Sequence, residues 1–256
     1  MKYFQLFYLL VFYNSSNAQQ SVKITYEQKI FYSDSFFSQI PGGASEEFKA
    51  AFRKPKTFEL INNGDNSLFQ STIEKEIVIP STEANSETSI NKGTFIKPFN
   101  VWILKDFTKQ SIIKSTTVED QEYYVEQPFM VEDIIYDKRS KVIDGYTCLS
   151  AFTVSAKNDT IQYWYTQKIP IIDGPFTMTA IPGLVLCTES KKKVIYVTKI
   201  EFFDKKLVID GVNKNTSFVT ELELKNKIEE SRKPKSFTDE FGKKLESNTV
   251  IIKAGN

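Results

Sequence analysis

The chain has 256 residues, with 33 basic against 32 acidic side chains and a formal net charge of +1. That balance gives no global electrostatic attraction to nucleic acid or to an anionic membrane. Histidine is absent, which excludes Ser-His-Asp and Cys-His catalysis and histidine-built zinc or copper sites. Carboxylate, Lys, Tyr, Ser/Thr and Cys chemistry remain.

Met1-Lys2 is a positive start, Tyr3 to Tyr13 an uncharged apolar run, and Ser16-Asn17-Ala18 a small-residue end. That order predicts a secretory signal peptide over residues 1–18, cleaved after Ala18. The run is shorter than the ~20 apolar residues a bilayer span needs, and no later stretch is long and apolar enough. Residues 19–256 are expected to form a single exported domain, periplasmic or secreted, without a transmembrane segment.

Ser21 to Ser33 opens as a strand, with Val22, Ile24 and Tyr26 alternating against polar neighbours. Pro41-Gly42-Gly43 breaks it. Ser45 is a helix N-cap followed by acids, and Phe48 and Phe52 share one helical face. Thr57 to Ile61 and Ser67 to Ile73 read as a hairpin around Asn62-Asn63-Gly64-Asp65-Asn66. Lys75 to Ile79 extends its second strand. Ser81 to Lys92 is polar and reads as a mobile loop.

Asn100 to Asp106 and Gln110 to Thr116 are strand-like and close enough to pair. Val118 to Val125, Phe129 to Tyr136 and Lys141 to Ala156 continue the series. Asn158-Asp159 is a hairpin turn signal. Thr160 to Lys168 is the most aromatic strand, with Ile161, Tyr163 and Tyr165 on one face and Gln162, Trp164 and Thr166 on the other. Leu184 to Cys187, Lys193 to Phe203 and Lys206 to Ile209 are further strands. Phe218 to Glu230 is ambiguous between strand and helix. Ser236 to Ser247 predicts a helix, because Phe237, Phe241 and Leu245 recur every four residues. Many short strands between turns, with one or two short helices, predict a mainly β fold: an antiparallel sheet, curved or partly closed.

Ile169 to Leu186 stands apart. Pro170, Pro175, Pro182, Gly174 and Gly183 fall there among apolar residues, so this loop is expected to pack rather than wave in solvent. Pro182-Gly183 fits the centre of a type II turn, with glycine supplying the positive φ. Trp164, Phe176, Met178 and Ile181 are candidates to line an apolar groove. Cys148 and Cys187 are the only cysteines. In an exported chain they read either as a disulfide, which requires neighbouring strands, or as two buried thiols. The acidic run Glu119, Asp120, Glu122, Glu126, Glu132, Asp133 lacks the spacing and glycine of a calcium loop and reads as a solvated face. No metal or cofactor site is expected.

The string Ala180-Ile181-Pro182-Gly183-Leu184-Val185, after Gly174-Pro175-Phe176, resembles the signature of the GLPGLI family of exported Bacteroidetes proteins. Lys141-Val142-Ile143-Asp144-Gly145-Tyr146-Thr147-Cys148 is similar to that family's K-x-I-x-G-Y-x-C segment. Trp164-Tyr165-Thr166 followed by Ile169-Pro170 is similar to its W-Y-T … I-P segment. Phe58-Glu59-Leu60 and Ser67-Leu68-Phe69 are a looser match. The resemblance implies an envelope protein with a largely β fold. No activity and no catalytic residue comes with it. Ala180 replaces the first glycine of the signature and would resist a positive φ there. Asp159-Thr160-Ile161 resembles the short Asp-Ser/Thr-apolar signal for O-glycosylation in such envelopes, at Thr160.

The function expected from these features is non-enzymatic binding of an apolar or peptidic ligand, or of an envelope protein, in a groove of the sheet. The alternatives are an accessory subunit of an outer-membrane transport or secretion system, and a hydrolase working with two carboxylates.

Overall fold

The computed structural model of the chain describes residues 21–39, 44–72, 77–79, 94–96, 100–130, 133–155, 159–212, 217–233, 235–238 and 244–247. Residues 1–18, where a signal peptide is expected, Pro41 to Gly43, Ser81 to Lys92, Glu132 and Asn158 lie outside them.

The chain opens with β1 (Ser21–Ile30), whose Val22, Ile24 and Tyr26 are all but fully buried. Two short helices follow, α1 (Asp34–Ser38) and α2 (Glu46–Arg53), each started by a serine whose hydroxyl accepts the backbone N–H three residues on, Ser33 from Phe36 and Ser45 from Phe48. Their Phe37, Phe48 and Phe52 form an aromatic cluster of their own with Tyr32 and Phe36. The hairpin of β2 (Lys56–Asn62) and β3 (Asn66–Ser71) is paired as expected. A two-stranded ribbon of β4 (Ile77–Ile79) and β5 (Thr94–Ile96) comes next.

Then β6 (Trp102–Asp106), β7 (Ser111–Val118) and β8 (Gln121–Pro128) form a meander. The run from Val118 to Val125 holds the end of β7, a two-residue turn and the first half of β8. Glu119 and Asp120 both have positive φ, at 51° and 65°, and close a two-residue hairpin of the kind that matches strand twist. The same device splits Lys141 to Ala156. Asp144 and Gly145 have φ of 47° and 78°, so β9 (Ile135–Ile143) ends there and β10 (Tyr146–Val154) returns. Phe129 and Met130 are not in a strand.

β11 (Thr160–Thr166), β12 (Leu184–Glu189) and β13 (Lys193–Phe203) complete the main sheet. Lys206 to Ile209 is not a strand. Leu207 is instead tied by its N–H to the Ser21 hydroxyl at 2.8 Å and by its carbonyl to the Asn63 amide at 3.0 Å. The ambiguous stretch divides into β14 (Ser217–Phe218) and α3 (Glu221–Ser231), begun by a Thr220–Glu223 capping box. The helix expected over Ser236 to Ser247 is a ribbon of β15 (Lys235–Thr238) and β16 (Lys244–Ser247), with Phe237 opposite Leu245. A spacing that fits one helical face here joins positions opposed across two strands, so periodicity alone could not separate the cases.

Twelve strands make one open sheet in the order β14-β8-β7-β6-β3-β2-β1-β13-β12-β11-β10-β9. Its pairings are antiparallel except that of β14 with β8. The expectation of a mainly β, antiparallel fold holds. β1 sits near the middle, between β2 and β13. β12 stays beside β13 only over Cys187 to Glu189. Beyond that it bends away, and the Tyr26 hydroxyl, two strands off, donates to the Val185 carbonyl at 2.7 Å. Burial, and after it the charge of Asp173, pushes the Tyr26 phenol well above its usual pKa, so it remains a donor.

Tyr26→Phe removes this one bond while keeping the ring among Phe69 and its neighbours. It should cost about 1 kcal/mol, up to ~2 if the Val185 carbonyl is left unpaired, read from urea unfolding of the two proteins.

Candidate functional site

The loop between β11 and β12 is built from three tight turns. Ile171 N–H donates to Ile169 carbonyl and Gly183 N–H to Ile181 carbonyl, each at 2.9 Å, so Pro170 and Pro182 each sit at the centre of a three-residue turn. The expected type II turn at Pro182-Gly183 is thus one residue tighter. Gly183 does take a positive φ, 147°, and a Cβ there would collide with the Thr166 carbonyl. Gly174 is needed for close approach, since a Cβ on it would lie 2.8 Å from that of Val185. Ala180 is not among the positive-φ residues, so alanine meets no resistance there. Pro175 opens the third turn, with the Met178 N–H on its carbonyl at 3.3 Å. Phe176 in this turn has φ of 54°, an uncommon conformation for an aromatic residue. Its ring is held 5.8 Å from Phe58 and 5.0 Å from Phe69.

What fixes the loop to the sheet is Asp173. It is buried, as is Lys105 of β6, and the two form an ion pair at 2.6 Å with both side chains 0% exposed. Lys105 Nζ also donates to the carbonyls of Gly174 at 2.7 Å and Met178 at 3.2 Å. Three acceptors meet three N–H bonds, the arrangement a buried ammonium needs. Burial lowers the Lys105 pKa, and the Asp173 charge and hydrogen bond work against that. The second Asp173 oxygen accepts from Asn62 Nδ2 at 2.8 Å, and its backbone carbonyl accepts from Val185 N–H at 2.9 Å. One aspartate therefore joins β2 and β6 through its carboxylate and β12 through its carbonyl.

The four residues expected to line one groove are divided. Met178 and Ile181 are buried with Tyr163, Tyr165, Ala151 and Val185. Phe176 and Trp164 belong to the larger cluster around Tyr26, Phe58 and Leu186. Trp164, Met178 and Ile181 are buried core, Phe176 is half-buried against it, and Leu184 is 0% exposed.

Trp164 nevertheless supports a polar surface. Cross-strand register puts Ser150, Trp164, Cys187, Tyr196 and Glu27 in one row over five strands. Gln162, Glu189, Val194 and Lys29 form the next. The Trp164 indole N–H donates to Glu189 at 3.0 Å, Lys141 donates to the other Glu189 oxygen at 2.6 Å, and the Lys141 ammonium lies 4.3 Å from the indole centroid. Burial pushes the Glu189 carboxyl up, but the Lys141 and Trp164 hydrogen bonds together hold it below the usual range. A bulge in β9 places Arg139 beside the same indole, 5.8 Å from its centroid. Arg139 also grips Asp137 through two nitrogens and reaches Gln162. The Arg139 hydrogen bond holds the half-buried Asp137 carboxyl at about 2. The result is a rigid patch of paired charges over one indole.

The cysteines lie on β10 and β12, which are not neighbours because β11 runs between them. Two strand spacings are about 9.6 Å, beyond the ~7 Å that a disulfide spans between Cα atoms. Both are free, buried thiols. Burial raises Cys148 to about 11 and Cys187 to about 12. Thr160 is exposed at the start of β11. Glu119 and Asp120 occupy the β7–β8 turn, and Glu122, Glu126 and Asp133 are exposed or half-buried. No group of three or more His, Cys, Asp or Glu side chains is placed to hold a metal among the described residues.

No family model matches the chain, and no curated protein matches it. Two solved structures of PNGF-II, in different crystal forms, share its fold. One is 17% identical with a TM-score of 0.53, covering 83% of this chain and 33% of that one; the other is 16% identical with a TM-score of 0.55, covering 86% and 37%. The chain thus spans about a third of PNGF-II. An uncharacterized conserved protein from Thermus thermophilus is a more distant likeness, 7% identical with a TM-score of 0.38, covering 79% of this chain and 91% of that one.

Lys105→Met should cost about 3–5 kcal/mol, because it strands the Asp173 charge. Lys105→Met with Asp173→Leu should recover most of that loss, giving a large coupling in a double-mutant cycle measured by denaturant unfolding. The native thiols should resist iodoacetamide at pH 8, while the unfolded protein labels twice by mass. Both thiols are raised above the ordinary value of 9.0, so the stability they contribute is complete below pH 9 and lost as pH rises toward 11 and 12. Cys148→Ala/Cys187→Ala should flatten that part of the stability profile.

Proposed function

We propose that this is an exported cell-envelope protein that binds an extended peptidic partner without chemistry of its own. The binding surface is the open edge of its sheet at β9. The observation that carries this reading is the exposure along that edge. Among the described residues nothing pairs with the outer side of β9, and Ile135 (49%), Tyr136 (51%) and Val142 (69%) are exposed there, with Leu149 (39%) on the next strand. Val142 and Leu149 share a face, since Val142 opposes Thr147 and Ser140 opposes Leu149. Tyr136 lies on the same face as Ala151 and meets Tyr165 edge-on at 6.3 Å, so the patch continues the buried Tyr163–Tyr165 cluster to the rim.

An extended peptide adding to such an edge gains main-chain hydrogen bonds and pockets for alternate side chains. The bulge over 137–139 limits regular pairing to Ser140–Ile143 and the strand start, which shortens the segment that fits and guards against edge-to-edge association. The export and envelope parts of this reading rest on the residue order at 1–18 and on the GLPGLI resemblance. Apolar ligands in a groove are disfavoured, because Trp164, Phe176, Met178 and Ile181 are spent on the core.

A carboxylate hydrolase is the weaker reading. It needs an acid whose pKa is raised. The described carboxylates with a shifted acidity, Glu47, Asp106, Asp137, Glu189 and Glu223, all move down. The PNGF-II likeness is one of fold at low identity and brings no chemistry with it.

A displayed library of linear peptides panned against the mature protein should yield binders that contact β9. Val142→Asp/Leu149→Asp should weaken them at least about tenfold without lowering Tm, as for truncated interface anchors. Binders indifferent to that pair would place the site elsewhere, and a library yielding none would remove the peptide reading.

A further inference from the structure

The chain is close to neutral overall, with a formal charge of +1, but the fold gathers cations at one end of the sheet. Three segments far apart in sequence meet there: the end of β1, the join of α2 to β2, and the β12–β13 turn. Phe31 N–H donates to the Lys192 carbonyl at 2.7 Å, Ile30 pairs with Lys193, and Gln28 pairs with Lys56. Lys29, Lys54, Lys191 and Lys192 are exposed at this end, and none of the four forms an ion pair among the described residues. In their midst Phe31 is 58% exposed, on the chain that leads into the Tyr32–Phe36–Phe52 aromatic cluster. The neighbouring Arg53 is already engaged, with Asp34 at 3.6 Å.

We infer that this end of the sheet is a peripheral docking surface for an anionic lipid headgroup layer. The chemistry of the patch selects that partner over an acidic protein. Carboxylates on a protein are best read by arginine forks, and the one arginine here already lies over the Phe37 ring and beside Asp34. What is left is compact lysine charge, which suits a diffuse field of phosphates. A lone exposed aromatic among lysines fits the interface between headgroups and acyl chains, where an apolar ring and long cationic side chains each find their own medium. The lysines hold the protein at the surface and Phe31 supplies a shallow anchor. No helix among the described residues is long and apolar enough to cross a bilayer.

The test is sedimentation of the full mature chain with vesicles. It should pellet with equimolar phosphatidylglycerol–phosphatidylcholine vesicles, stay in solution with pure phosphatidylcholine, and be released by high salt. Lys191→Ala/Lys192→Ala should lower the partition coefficient about 25-fold, at roughly fivefold per lysine. Phe31→Ser should lower it further at constant charge. Lys199→Ala/Lys205→Ala, in the middle of β13 and beyond its far end, should change nothing. Circular dichroism of each variant checks that the fold is kept. Failure to pellet with phosphatidylglycerol vesicles overturns the inference. So does an equal loss in the Lys199/Lys205 variant, or binding to polyglutamate as tight as to vesicles and indifferent to Phe31→Ser. The Val142/Leu149 variant should pellet normally, which keeps this surface separate from the peptide edge.

Discussion

Lys105 and Asp173 lie 68 residues apart in sequence and 2.6 Å apart in space, and the long β11–β12 connection depends on them. Burying either charge alone costs several kcal/mol, so the pair forms only if both arrive with every donor and acceptor matched. Lys105 finds two loop carbonyls besides its carboxylate, and Asp173 takes a bond from Asn62. That requirement sets the path of the loop residue by residue. Gly174 lets the backbone approach Val185, and the turn at Pro175 accepts a strained Phe176 whose ring then caps Phe58 and Phe69. An apolar pair in the same place would fill the space without dictating this path; it is the polar match that specifies one conformation.

With the loop clamped, the faces of the sheet acquire different duties. One cluster, around Met178 and Ile181, backs the aromatic strand and reaches the rim at Tyr136. The Trp164 row carries a lattice of paired charges, Lys141 with Glu189 and Arg139 with Asp137. Paired charges over a buried indole make a firm surface rather than a reactive one, since the carboxylates stay ionised and the thiols beneath stay protonated. The open margins are the outer edge of β9 and the lysine-rich end around Phe31, where Lys29 lies over the Tyr196 ring.

Strand content was legible because alternation such as Val22-Ile24-Tyr26 has one period and one burial outcome. The β2–β3 hairpin and the α2 cap were legible for the same local reason. Two turns differ in how openly they are written: Asp144-Gly145 is a standard hairpin pair, whereas Glu119-Asp120 adopts the same geometry with residues that seldom signal it. The Phe237–Leu245 spacing served helix and hairpin alike. The packed character of the Ile169–Leu186 loop could be read from prolines set among apolar residues. Its anchor could not, because a single aspartate and a single lysine in a chain rich in both carry no mark of pairing. The lysine-rich end was equally hidden, as its parts join only through β-sheet register.

The place of β1 bears on how such a chain folds. It pairs with β2 on one side, but its other partner is β13, with Ser21 opposite Phe203. A chain delivered from its N-terminus can zip β1, β2 and β3 at once, yet β1 keeps a bare edge until almost the whole sheet-forming sequence has emerged. Non-local closure of that kind makes folding slow relative to local hairpin formation. For the interval, the protein presents the strand richest in fully buried side chains as an unfinished surface, and whatever accompanies the chain during delivery has that edge to shield.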